Sequence, residues 1–138
     1  MLLEFIEYEA YSLVIITVCL FLSAFFSSAE TAITSLGMLK VKHLLERKGK
    51  KVKQLRLWIS KPNRVLTTIL IFNNGVNILA SSVTTQLVHH YYRDSAISIA
   101  TGITTFLVLV FGEIVPKSFA KSYAETIASF AMRFIVYI

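Results

Sequence analysis

The sequence predicts an all-α membrane protein with three transmembrane helices, a membrane-surface amphipathic helix and a basic cytoplasmic helical loop. Three observations carry that reading. First, 55% of the 138 residues are hydrophobic and only 16% charged, with mean hydropathy +0.65, whereas a soluble domain is about a quarter charged. Second, residues 10–29, 65–88 and 95–112 contain no charged side chain, and roughly 20 such residues cross the ~30 Å hydrocarbon layer as a helix. Third, the basic residues are concentrated between the first two of these stretches.

The first span is expected over about 10–36. It is not a secretory signal, because Glu4, Glu7 and Glu9 stand where a basic n-region belongs and the apolar run is long for an h-region. Cys19 within it is the only cysteine, so no internal disulfide is implied and the residue reads as small apolar filler.

The loop that follows, KVKHLLERKGKKVKQLRLWISKPNR (40–64), holds ten basic residues against Glu46 alone. That is a net +9, leaving −3 for the rest of a chain whose total is +6. Between two spans, the positive-inside rule explains this better than a nucleic-acid partner does. The loop is therefore cytoplasmic, and contact with anionic lipid would add to its role in orientation. The acidic N-terminus and the HHYYRD hinge (89–94) then lie outside. Leucine spacing predicts helical, hairpin-like material broken near Gly49, with Trp58 as an interfacial anchor. Pro62 suits the first turn of the second span, over about 62–90.

The third span is expected over about 95–115, and a surface helix over about 120–138. In the latter, Lys121, Glu125, Ser129 and Arg133 recur every four residues, with Ile127, Phe130, Phe134, Ile135 and Val136 mostly opposite. Residues 1–138 form one membrane domain. The pattern stops at Ile138 without a helix-ending signal, which predicts a longer protein with a soluble part beyond it.

Each span carries polar residues at a depth where they are costly: FFSSAETA (25–32), with Ser27, Ser28 and Glu30; IFNNGVNI (71–78), with Asn73, Asn74 and Asn77; and FGEIVPK (111–117), with Gly112 and Glu113. Taken singly, the serines can bond their own backbone and the asparagines can join helices. Glu30 and Glu113 can face headgroups or pair with Lys40 or Lys117. Taken together, hydroxyl, carboxamide and carboxylate form an all-oxygen set with one carboxylate, suited to a hard cation such as Mg²⁺, Ca²⁺ or Na⁺. Gly75 is expected to interrupt the second helix. Pro116 removes a donor and frees the carbonyl near Gly112, as broken helices do where they meet cations. No nucleophile–base pair accompanies these residues, and His43, His89 and His90 read as solvated surface, so an enzyme is not expected.

These stretches resemble the transmembrane (DUF21) domain of the CorC/CNNM family of magnesium transporters. The likeness rests on F-S-x-x-E-T-A at Phe26–Ala32, N-N-x-V-N at Asn73–Asn77 and G-E-I-V-P-K at Gly112–Lys117. It implies a homodimer in the bilayer of the cell (inner) membrane, holding a dehydrated Mg²⁺ that is exported as Na⁺ enters. Ser27, Asn73 and Glu113 would supply side-chain oxygens and Gly112 a carbonyl, with Ser28, Glu30, Asn74 and Asn77 as further candidates. The resemblance departs at Phe72 and Gly75, where family members often carry Gly and a bulkier residue, so it implies no backbone contact at the start of that motif. It also implies cytosolic CBS domains, absent from these residues, in the full-length chain. Two rivals are a Mg²⁺ sensor that regulates a partner without transport, and a plain anchor for the missing domains.

Overall fold

In the computed structural model, the backbone of residues 1–91 and 94–138 is described, with side chains except at 51, 90, 91, 94–97, 100, 101 and 104. The centre of the hinge expected at 89–94, residues 92 and 93, lies outside the described residues. Helices α1 (Leu2–Lys48), α2 (Arg56–Ser60), α3 (Pro62–Tyr91), α4 (Asp94–Leu109), α5 (Val115–Ser122) and α6 (Ala124–Ile135) follow in order. A 3₁₀ segment (Gly49–Leu55) joins α1 to α2, and a π turn (Val110–Ile114) joins α4 to α5. No strand occurs among the described residues. The protein is an all-α membrane protein. Leu2–Lys48 and Pro62–His89 are long and apolar enough to cross a bilayer. The third expected span is shared by α4, the π turn and α5.

A straight helix of 47 residues would reach about 70 Å at 1.5 Å per residue, more than twice the hydrocarbon thickness. It is not straight. Gly37 (φ 67°, ψ 169°) sits in a left-handed region open to glycine and bends α1, and a second turn at Gly49 (φ 52°) starts the 3₁₀ segment. Gly75, by contrast, does not interrupt the second helix, because α3 runs unbroken from Pro62 to Tyr91. One glycine costs a helix only about 1 kcal/mol, and the packing of α3 along α1 outweighs it.

Burial is concentrated at one end of the bundle, the end that carries the basic residues. Ile33, Val41, Leu55, Val65, Ile69 and Met132 are among its fully buried side chains, brought together from α1, the 3₁₀ segment, α3 and α6. Helix α6 packs Ala128, Ala131 and Met132 inward, while Phe130 and Phe134 meet Phe25 edge-on at centroid distances of 6.4 and 5.9 Å. The surface helix therefore begins at Ala124, after a break at Tyr123 (φ −121°, ψ 38°). Lys121 belongs to α5 and not to the stripe of Glu125, Ser129 and Arg133. Toward the other end, Leu13, Val14, Val18, Phe21, Ile78 and Ile103 point outward, as side chains that meet acyl chains do.

Candidate metal centre

Three elements converge where the packed end gives way to the open one. On α1, Ser23 donates a hydrogen bond of 2.8 Å to Asn77 Oδ1 on α3. Asn77 Nδ2 in turn donates to Glu113 Oε1 in the π turn, at 3.0 Å. The amide thus fixes one carboxylate oxygen while a serine fixes the amide. This chain of neutral donors orients Glu113 between the helices. Ser23 also lies 3.5 Å from the Gly112 carbonyl oxygen.

The Ser23–Asn77 bond sets the register of α1 against the antiparallel α3, as does the stacking of Phe26 on Phe72 at 5.7 Å. One turn toward the basic end, the same register brings Ser27 opposite Asn73, since residues four apart share a helix face. Both are buried, Ser27 at 0% and Asn73 at 7% exposure. Ser27 Oγ and Asn73 Oδ1 have no hydrogen-bond partner. A buried oxygen left without a partner costs about 1–3 kcal/mol, so two of them at facing positions describe a site with capacity for a ligand.

The π turn supplies the third wall. Pro116 has no N–H to give the Gly112 carbonyl, its partner in an α-helix, and the Val115 amide bonds Val110 O, one residue further back than in an α turn. Gly112 is buried, and a Cβ there would stand 3.2 Å from Leu20 Cδ1 and 3.5 Å from Ser23 Oγ. Only glycine lets this backbone approach α1 without displacing Leu20. From Asn77 and Glu113 a cavity of about 180 Å³ runs between α3 and α4, past Ser81, Thr84 and Thr105. Thr84 Oγ1 is buried without a partner as well.

The remaining candidates lie apart from this centre. Ser28 Oγ donates to the Pro116 carbonyl at 3.3 Å and helps tie α1 to α5. Glu30 faces Lys117 at 3.9 Å. Asn74 is exposed, because one residue turns a helix about 100° away from the face shared by Asn73 and Asn77. Ser23 was not expected from the sequence; its only signal was its place four residues before Ser27. Among the described residues no cluster of three His, Cys, Asp or Glu side chains could hold a metal. The donors on offer are hydroxyl, amide, carbonyl and one carboxylate, which suit Mg²⁺ and other hard cations.

A family described as the cyclin M transmembrane N-terminal domain matches residues 14–138. A UPF0053 protein of Haemophilus influenzae is 42% identical over 118 residues, covering 86% of this chain and 28% of that protein. The UPF0053 inner membrane protein YfjD of Escherichia coli is 39% identical over 107 residues, 78% of this chain and 25% of its own. A chloroplastic DUF21 domain-containing protein of Arabidopsis thaliana is 40% identical over 119 residues, 86% of this chain and 18% of its own. The chain spans about a quarter of the length of the two bacterial relatives.

Proposed function

The chain belongs to the cyclin M transmembrane N-terminal domain family, and from that premise we propose that it is the ion-carrying domain of a Mg²⁺ exporter driven by Na⁺ entry. The observation that carries the reading is the pair of buried, unpartnered oxygens, Ser27 Oγ and Asn73 Oδ1, one helical turn from the Ser23–Asn77–Glu113 chain, which also approaches the Gly112 carbonyl. Mg²⁺ gives up its water reluctantly and demands close octahedral oxygens. Fixed oxygens from three helices replace that shell, and Glu113 supplies the one formal charge that offsets dehydration. Asn77 and Ser23 hold Glu113 in place and need not touch the ion.

In this reading α1, α3 and the α4–α5 run all cross the bilayer. The N-terminus is outside and the basic stretch is cytoplasmic, following the positive-inside rule. The membrane is the cell's inner membrane, in keeping with the description of the Escherichia coli relative. Two copies form a homodimer, and the longer protein continues into cytosolic CBS domains. Export proceeds by alternating access: Na⁺ bound to the outward-open form raises its population, since a ligand shifts an equilibrium only through differential affinity.

The test is Mg²⁺ efflux from proteoliposomes under an opposing Na⁺ gradient. Glu113→Ala is expected to abolish flux and saturable Mg²⁺ binding together. Unchanged flux in that variant would sink the site assignment. Wild-type protein that binds Mg²⁺ and moves none would instead support a Mg²⁺ sensor.

A further inference from the structure

The basic stretch does more than carry charge, because its backbone arranges that charge. Val52, Leu55 and Trp58 face the core and are buried at 4, 0 and 6% exposure. Lys50, Lys53 and Arg56 form an exposed basic ridge that lines one groove. The 3₁₀ segment kinks at Val52 (φ −124°, ψ 24°), and Arg56 opens α2, so the ridge is built from two short turns. Gln54 Nε2 donates to the Ser129 carbonyl at 2.9 Å and fastens this segment to α6.

Between the ridge and α6 lies a groove of about 890 Å³, with Arg133 on the opposite wall and Leu57, Phe134 and Tyr137 giving apolar surface. None of its four cations has an ion-pair partner among the described residues. The adjoining groove on α6 differs in this respect: there Lys48 is held by Glu125 at 2.6 Å. Four like charges without a carboxylate repel one another, and an anion placed among them removes that repulsion. The apolar surface continues onto the exposed Phe130, Phe134 and Tyr137 of the amphipathic α6 end, where a helix of this kind lies at the headgroup level.

We propose that this groove binds the phosphodiester headgroup of an anionic phospholipid, with Lys50, Lys53, Arg56 and Arg133 around the phosphate and the aromatic surface against the glycerol and upper acyl chain. The site is independent of the ion path proposed above. Trp58, the chain's one tryptophan, lies in the helix that continues the ridge. Its indole is buried on the core side, so its quenching by brominated phosphatidylglycerol in phosphatidylcholine bilayers reports only lipid held close to this segment. Lys53→Gln with Arg56→Gln is expected to weaken phosphatidylglycerol binding about tenfold or more, each basic side chain near the surface being worth about a fivefold factor. Arg133→Gln, on the other wall, is expected to weaken it severalfold by itself. Lys40→Gln with Lys42→Gln removes the same charge outside the groove and should change binding less than twofold. Equal losses in the two double variants would mean diffuse attraction and would overturn the proposal. Displacement of the lipid by equimolar inorganic phosphate would overturn it too, making this a site for a soluble anion.

Discussion

Two polar regions of this protein follow opposite rules. At the candidate metal centre there is one formal charge, Glu113, and the other oxygens are neutral and partly or fully buried. At the basic end there are many formal charges, and those among the described residues of the 40–64 stretch are exposed. In the first region a single unpartnered hydroxyl has leverage, because no water competes for it and its desolvation is already complete. In the second, even a short ion pair counts for little: exposed pairs are typically worth less than about 1 kcal/mol. Position relative to water, more than the number of charges, decides what each group does.

That contrast can be broken most directly at Asn73 and Ser27. Asn73→Leu or Ser27→Ala should lower Mg²⁺ affinity about tenfold or more. The same changes should leave stability to thermal unfolding in detergent unchanged or raise it by about 1 kcal/mol, since each deletes a buried oxygen with no partner. Mg²⁺ titration beside a melting curve checks both signs. Variants that lost stability and kept affinity would make these oxygens structural.

Ser23→Ala should have a smaller effect of a different kind. It removes the hydroxyl that orients Asn77, a loss of about 1 kcal/mol for one neutral hydrogen bond, and lowers Mg²⁺ affinity only severalfold. Ser23→Thr, which keeps a hydroxyl, should restore much of it. Affinity lost equally in both variants would place Ser23 among the packing residues and not the orienting ones.

The smallest effect belongs to Glu125. The Lys48 hydrogen bond holds its carboxyl below the usual value of 4.5. A lowered folded-state pKa contributes stability that is present above the unfolded value and is lost as pH falls through the folded one. Glu125→Gln should therefore cost less than about 0.5 kcal/mol at neutral pH, and the gap between variant and parent should close as pH falls through the lowered folded-state value. A loss of several kcal/mol would show that this pair behaves like the buried region after all.

Much of the site was legible because hydrocarbon makes polar residues conspicuous. Asn73, Asn77 and Glu113 stand out against runs of Leu, Ile, Val and Phe, and Pro116 after Gly112 announced a freed carbonyl. Ser23 was not legible, because residues 10–29 hold five serines and threonines and such side chains commonly bond their own helix, as Thr17 does to Leu13. Which hydroxyl reaches across depends on register, and register is set by packing. Gly75 misled for a related reason: propensity marks where a helix can break, while the opposing face of α1 decides whether it does. Asn74 and Asn73 are chemically alike and adjacent, yet only one faces inward. The ridge of Lys50, Lys53 and Arg56 was hidden by a default α period, since the kink at Val52 and the short turns on either side of it are a matter of local hydrogen bonding that composition does not reveal.

The π turn also has a consequence for insertions and deletions. A π turn contains one more residue than an α turn, so the flanking segments keep the phase they would have in an α-helix one residue shorter. Leu109 before it and Ala120 after it are already aligned for that shorter chain. Removing one residue within Val110–Ile114 should therefore leave α5 seated on α1, with Ala120 still inward and Phe119 still outward, whereas the same deletion in the middle of α3 would rotate every side chain beyond it. The freed Gly112 carbonyl rests on a single residue of surplus length, which the fold itself could do without.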